Sequence, residues 1–180
     1  DLGKNRIDDN GFKFLCSSLA QNQTLKTFSI YSNTFNTGRC LNELVKKSAI
    51  ENLDISYNLF NISVENICCV ISNPNIKTLN LKASSITSWP EEIMHQPSNL
   101  KELYLCYTTN SEKALSSFVK YVLANTVLET LTLSNCSIDS AFINTLDIAN
   151  LKHLDLSNNP IQDVGITILA HKILACDSIE

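Results

Sequence analysis

The chain writes one pattern six times in succession. Segments starting at Leu25, Ile50, Ile76, Leu100, Leu128 and Leu151 read LKTFSIYSNTF, IENLDISYNLF, IKTLNLKASSI, LKELYLCYTTN, LETLTLSNCSI and LKHLDLSNNPI. All six fit LxxLxLxxNxL, with Ile or Phe standing in for Leu. The opening LGKNRI from Leu2 is the end of a further copy, and Ile179 stands where another would begin. The first apolar positions are separated by 25, 26, 24, 28, 23 and 28 residues. A unit this short cannot bury its own apolar face, so it must stack on its neighbours. The expected organisation is a single repeat domain over residues 1–180, with about seven repeats and truncated at both ends.

The spacing has a mechanical reading. Alternation in LxL puts two apolar side chains on one face of a short strand. Each repeat lays its strand beside the previous one, and the apolar residues stack into a continuous core. The position after the strand holds Asn5, Asn33, Asn58, Ser84, Thr108, Cys136 and Asn159. An Asn amide there can bond the backbone groups that turn away under the core, which need partners. Ser, Thr and Cys do this less completely.

The second half of each unit reads as helix. Phe12, Leu15, Cys16 and Leu19 form a helical stripe, with Asp8 or Asp9 able to cap its start. Leu115, Phe118, Val119, Val122 and Leu123 form another, and Ile166, Leu169, Ile173 and Leu174 a third. Helices are wider than strands, so the stack should curve with the sheet on the concave side. The period is that of leucine-rich repeats. The expected fold class is therefore α/β: a curved leucine-rich-repeat solenoid, or horseshoe, with a parallel concave sheet and a mostly helical convex side.

Composition agrees with a packed chain. Hydrophobic residues make up 44% and charged residues 18%, which argues against disorder. The net charge of −4 comes without a dense Lys/Arg cluster, so nucleic acid is not an expected partner. No apolar run approaches the roughly 18 residues of a membrane span. The seven cysteines are an odd count without CxxC spacing, and Cys68 and Cys69 are adjacent. Reduced thiols in the cytoplasm are the expectation rather than a disulfide framework.

The stretch from Ile7 to Ile30, IDDNGFKFLCSSLAQNQTLKTFSI, resembles the ribonuclease-inhibitor type of leucine-rich repeat, which also occurs in the sensor domains of NOD-like receptors. The resemblance rests on Asp8 and Gly11 before the helix, Leu15 and Leu19 within it, and Asn22, Thr24 and Leu25 at its close. The last unit has a similar Ile161, Asp163 and Gly165. A departure is SSITSWPEEIMHQPSNLKEL, which looks like the shorter LxxLPxxI unit of bacterial leucine-rich-repeat proteins. With heavy Asn, Ile, Ser and Lys use, this also suggests similarity to an intracellular-bacterial effector, secreted into a host cytoplasm. The resemblance implies a non-catalytic scaffold that holds a partner protein on its concave face and could inhibit an enzyme by covering its active site. The alternative it implies is a sensing or regulatory module of a larger receptor or effector.

Strand alternation predicts which side chains face such a partner. They include Ser29 and Tyr31; Asn52, Asp54 and Ser56; Asn80 and Lys82; Glu102, Tyr104 and Cys106; Thr132; and His153 and Asp155. Tyr57 and Tyr107 follow at strand exits. Tyrosine is enriched among binding hot spots. Seven strands about 4.8 Å apart span roughly 30 Å, enough for the ~800 Å² a standard interface takes from each partner. The chain alone is expected to be monomeric.

Catalytic and metal patterns such as GxxxxGK[ST], HExxH and GxSxG do not occur. Cys106 and His153 both should face the hollow, but two strands of separation put them about 10 Å apart, beyond direct hydrogen bonding. No enzyme activity, cofactor or metal is expected. Trp89 is expected in the core, and His95 in a connecting segment.

Overall fold

The computed structural model describes residues 1–36, 38–58, 63–84, 98–106, 112–125, 127–176, 178 and 179. Among these residues six strands form one parallel sheet whose spatial order is the chain order. They are β1 (Thr27–Ser29), β2 (Asn52–Asp54), β3 (Thr78–Asn80), β4 (Glu102–Cys106), β5 (Thr130–Ser134) and β6 (His153–Asp155). Register is constant: Phe28, Leu53, Leu79, Leu103, Leu131 and Leu154 lie side by side. Ahead of β1, Leu2 and Lys4 donate their backbone N–H groups to Ser29 and Tyr31 at 2.8 and 2.9 Å, so the opening fragment runs along that edge.

Among the described residues there are six helices, one before β1 and one after every strand except β3: α1 (Asp9–Leu19), α2 (Leu41–Lys47), α3 (Val64–Ile71), α4 (Glu112–Asn125), α5 (Ser140–Thr145) and α6 (Gln162–Leu174). Of the two capping candidates it is Asp8 that starts α1; its Oδ1 accepts from Gly11 N at 2.9 Å. Asp139 caps α5 in the same way at Phe142 N. Helices need more width than strands spaced about 4.8 Å apart. The stack therefore bends towards the sheet, leaving its outer face open.

The LxL side chains of β1 to β5 are buried, and they join Phe12, Cys16, Leu115, Phe118, Val119 and Val122 in one core. Leu154 and Leu156 are only half-buried because β6 is the sheet edge. One helical stripe differs from expectation. Ile166, Ile173 and Leu174 are 54%, 41% and 84% exposed, and Leu169 alone of the expected stripe packs on the core. The inward face instead runs through Ile161, Gly165, Ile168, Leu169 and Lys172. Gly165 is there because a Cβ would come within 3.2 Å of the Ser140 backbone. Lys172 is there because its Nζ donates to the Leu146 carbonyl at 2.8 Å. Trp89, His95 and Thr108 lie outside the described residues.

Candidate protein-interaction surface

The open face of the sheet carries three parallel rows. The first starts at exposed Thr27, continues through half-buried Asn52, Thr78, Glu102 and Thr130, and ends at exposed His153. The second holds Ser29, Asp54, Asn80 and Tyr104, all half-buried, then buried Thr132 and exposed Asp155. The third runs Tyr31, Ser56, Lys82, Cys106, Ser134 and Ser157, with large and small side chains alternating only over the first four. Tyr107 lies outside the described residues.

Three expected contact residues are not presented to a partner. Ser56, Cys106 and Thr132 are 2%, 3% and 8% exposed. Ser56 is short, and its hydroxyl donates to Asp54 Oδ1 at 2.6 Å. Cys106 accepts the Ser134 hydroxyl at 2.8 Å across the β4–β5 register pair. Thr132 sits in a row beside the Tyr104 ring, across the register pair of β4 and β5. Cys106 and His153 remain apart, on strands separated by β5 and in different rows.

Three positions of the second row do a second job. Asp54, Asn80 and Asp155 are equivalent, and each accepts the backbone N–H two residues on, at 3.0, 3.2 and 2.9 Å. These local turns shape the strand exits. Pattern reading assigned them to a partner and missed this role, although their common D/N-x-[SK] spacing was visible.

The centre of the face is a small polar cluster. Tyr104 donates its hydroxyl to Glu102 Oε2 at 3.0 Å, and Thr78 donates to the same oxygen at 3.3 Å. Lys82 Nζ lies 5.4 Å from the Tyr104 ring centroid, a cation–π distance. Burial, with the Glu102 carboxylate second, pushes the Tyr104 phenol above its ordinary pKa. The ring is thus held in place rather than fully exposed. Its neighbours line a shallow depression with Thr27, Asn52, Asp54 and Asn80. Tyr31 is also half-buried; its ring lies across Gly3, where a Cβ would meet it at 2.0 Å. Tyr57, at a strand exit, is the most exposed of the described tyrosines at 45%, with a backbone φ of 54°.

Among the described residues no group of three or more His, Cys, Asp or Glu side chains could hold a metal ion. No helix among them is long and apolar enough to cross a membrane.

A family model described as Leucine Rich repeat matches residues 147–170, which cover β6 and most of α6. "NACHT, LRR and PYD domains-containing protein 14" of Mus musculus is 30% identical over 96% of this chain and 19% of its own length. The protein of the same name in Homo sapiens is 29% identical over 94% of this chain and 17% of its own length. "NACHT, LRR and PYD domains-containing protein 4C" of Mus musculus is 26% identical over 87% of this chain and 17% of its own length. The chain thus spans less than a fifth of each of these relatives. All three are mammalian, and the expected likeness to a bacterial effector finds no support in them.

Proposed function

Since the chain is a leucine-rich-repeat protein related to the repeat regions of these NACHT, LRR and PYD domain proteins, we propose that it is a sensing or regulatory repeat module. In this reading it holds a protein segment against the open face of its sheet. The segment belongs to a separate partner or to another part of a larger receptor. The observation that carries the reading is the cluster of Lys82, Glu102 and Tyr104. A preset aromatic ring flanked by both charge signs offers apolar area and orientation at little ordering cost. The surrounding Thr and Asn side chains keep the face hydrated until a partner covers it. The protein acts by binding rather than by turnover, and works in the cytoplasm with its cysteines reduced.

Amine cross-linking of a captured complex tests the placement. Lys82 is on the open face, while Lys13, Lys46 and Lys120 are exposed on helices. Cross-links from Lys82 to the partner support the reading. Cross-links confined to the three helical lysines place the partner on the convex side and end it.

A finer version makes the partner an enzyme whose active site the sheet covers. Its support is the tyrosine-bearing open face, with Tyr31, Tyr57 and Tyr104. Loss of the partner's turnover at stoichiometric binding supports that version, and unchanged turnover removes it.

A further inference from the structure

The sulfurs of Cys16 and Cys40 approach to 2.8 Å. Non-bonded sulfurs rest roughly 3.6 Å apart, and a disulfide bond is ~2.05 Å long. The two residues are 24 positions apart, one repeat length, and so belong to neighbouring units. Cys16 is in the middle of α1 and fully buried. Phe12, one turn earlier, stacks on Phe35 with centroids 4.0 Å apart, which holds that part of α1 in place. Cys40, immediately before α2, is half-buried and reachable from solvent. Elsewhere Cys106 accepts from the Ser134 hydroxyl, Cys136 donates to the Leu105 and Ser134 carbonyls, and Cys68 and Cys69 are chain neighbours.

We propose that Cys16 and Cys40 are a two-thiol modification site that a hydroperoxide converts into a disulfide, bridging the first two helical units. The exposed member reacts first. The Cys40 thiolate attacks one peroxide oxygen, the O–O bond breaks, and the other oxygen leaves as an alcohol or water after taking a proton. Cys40 is then a sulfenic acid. The Cys16 sulfur forms the S–S bond, and its proton leaves with the sulfenic hydroxyl as water. Two thiols and one hydroperoxide become a disulfide, an alcohol and a water, with two electrons passing from sulfur to oxygen.

The local chemistry favours this order. The hydrogen bond from Cys16 draws the Cys40 thiol below its ordinary pKa, against burial and the opposing charges of Glu43 and Asp9. The same contact pushes Cys16 up, so the buried thiol keeps its proton until Cys40 is oxidised. Burial, the neighbouring Cys69 and Glu65 push Cys68 up to about 11, which makes it a built-in slow control.

The test uses the full reduced chain, treated with increasing hydrogen peroxide and mapped by non-reducing tryptic mass spectrometry. Cleavage after Lys13, Lys26 and Arg39 puts the two cysteines in different peptides. The expected first product is the Phe14–Lys26 peptide joined to the peptide beginning at Cys40, lighter by two hydrogens. In Cys16→Ser the cross-link disappears, and Cys40 sulfenic acid accumulates and is trapped by dimedone. Cys68→Ser should react like the parent. Oxidation of Cys68, Cys69 or Cys176 before Cys40 would overturn the proposal, as would a first cross-link between any other pair. The parent peptide map decides the matter even if Cys16→Ser fails to fold.

Discussion

Asn58 Oδ1 accepts the backbone N–H of Asn33, its counterpart one repeat earlier, at 2.9 Å. The Asn58 amide also donates to the carbonyls of Ile30, Ile55 and Ser56 at 3.0–3.1 Å. One buried side chain therefore ties two repeats together and satisfies groups in both. Asn33 and Asn159 do the same in their own units. Ser84, at the equivalent position, is buried with its hydroxyl unpartnered among the described residues.

That contrast predicts opposite responses to alanine. Asn58→Ala strands several buried backbone groups, each worth roughly 1–3 kcal/mol, and relaxation recovers part of this. The expected loss is about 3 kcal/mol. Ser84→Ala removes a hydroxyl that bonds nothing among the described residues and should stay within about 0.5 kcal/mol of the parent, or stabilise it slightly. Urea denaturation of the two variants, with unchanged slopes, checks both values.

The residue before each of these positions carries a second repeating feature. Lys4, Ser32, Tyr57, Ala83, Asn135 and Asn158 all have φ between 53° and 56°, except Ser32 at 51°. A left-handed residue lets the chain leave the strand and turn beneath the core. For a residue with a Cβ this costs roughly 1–2 kcal/mol. Ala83→Gly removes the strain, and the extra freedom of the unfolded chain takes back about 0.4–1 kcal/mol. The expected net gain is about 0.5–1 kcal/mol, read as a higher urea midpoint. A lower midpoint would mean that the Ala83 methyl group packs more than it strains.

The fold was legible where side-chain type follows environment. Leu53, Leu79, Leu103 and Leu131 had to be inward, and they are. Asp8 looked like a cap and is one. Legibility failed where geometry overrides type. Gly165 and Lys172 occupy inward positions of α6, one by lacking a side chain and one by reaching a carbonyl, so the apolar stripe pointed the wrong way. On the open face, alternation assigns side chains to one side of the sheet but carries no information on their depth. Ser56 is buried beside Asp54, and Cys106 is buried against Ser134 of the next strand, a contact that lies between repeats rather than within one. The meeting of Cys16 and Cys40 is of the same kind. Its signal was present as a separation of one repeat length, but the differing positions within their units concealed it.

Electrostatics along the sheet's entry edge give a pH prediction. Glu51 lies between Lys26 and Lys77, at 3.0 and 2.6 Å. Glu129 lies between Lys101 and Lys152, at 3.2 and 2.9 Å. The lysine contacts hold both carboxyls below their ordinary pKa. A lowered carboxylate pKa stabilises the fold fully above the unfolded value, ~4.3, and this contribution is lost as pH falls through the lowered value. Glu51→Gln and Glu129→Gln should each reduce the melting temperature slightly at neutral pH and low salt. The differences should shrink at about pH 2 and in roughly 1 M salt, where the Debye length is only ~3 Å. Differences that persist under both conditions would assign the effect to packing instead of charge.

Tyr57 separates stability from binding more sharply than any other position. Its φ of 54° is unusual for a bulky side chain, and its ring is 45% exposed rather than packed in the core. The turn needs the left-handed backbone in every repeat, but the aromatic ring adds nothing to it, so the exposed ring is free to serve a partner. Tyr57→Gly should therefore stabilise the chain by about 0.5–1 kcal/mol, as Ala83→Gly does. It should also weaken partner binding about tenfold or more, since truncating an aromatic hot spot costs roughly 2 kcal/mol. Ala83→Gly, at the same backbone position one repeat on, controls for flexibility and should leave affinity nearly unchanged. Calorimetry on the captured partner measures both variants. If Tyr57→Gly binds as tightly as the parent, the contact surface stops short of the strand exits and centres on Tyr104 alone.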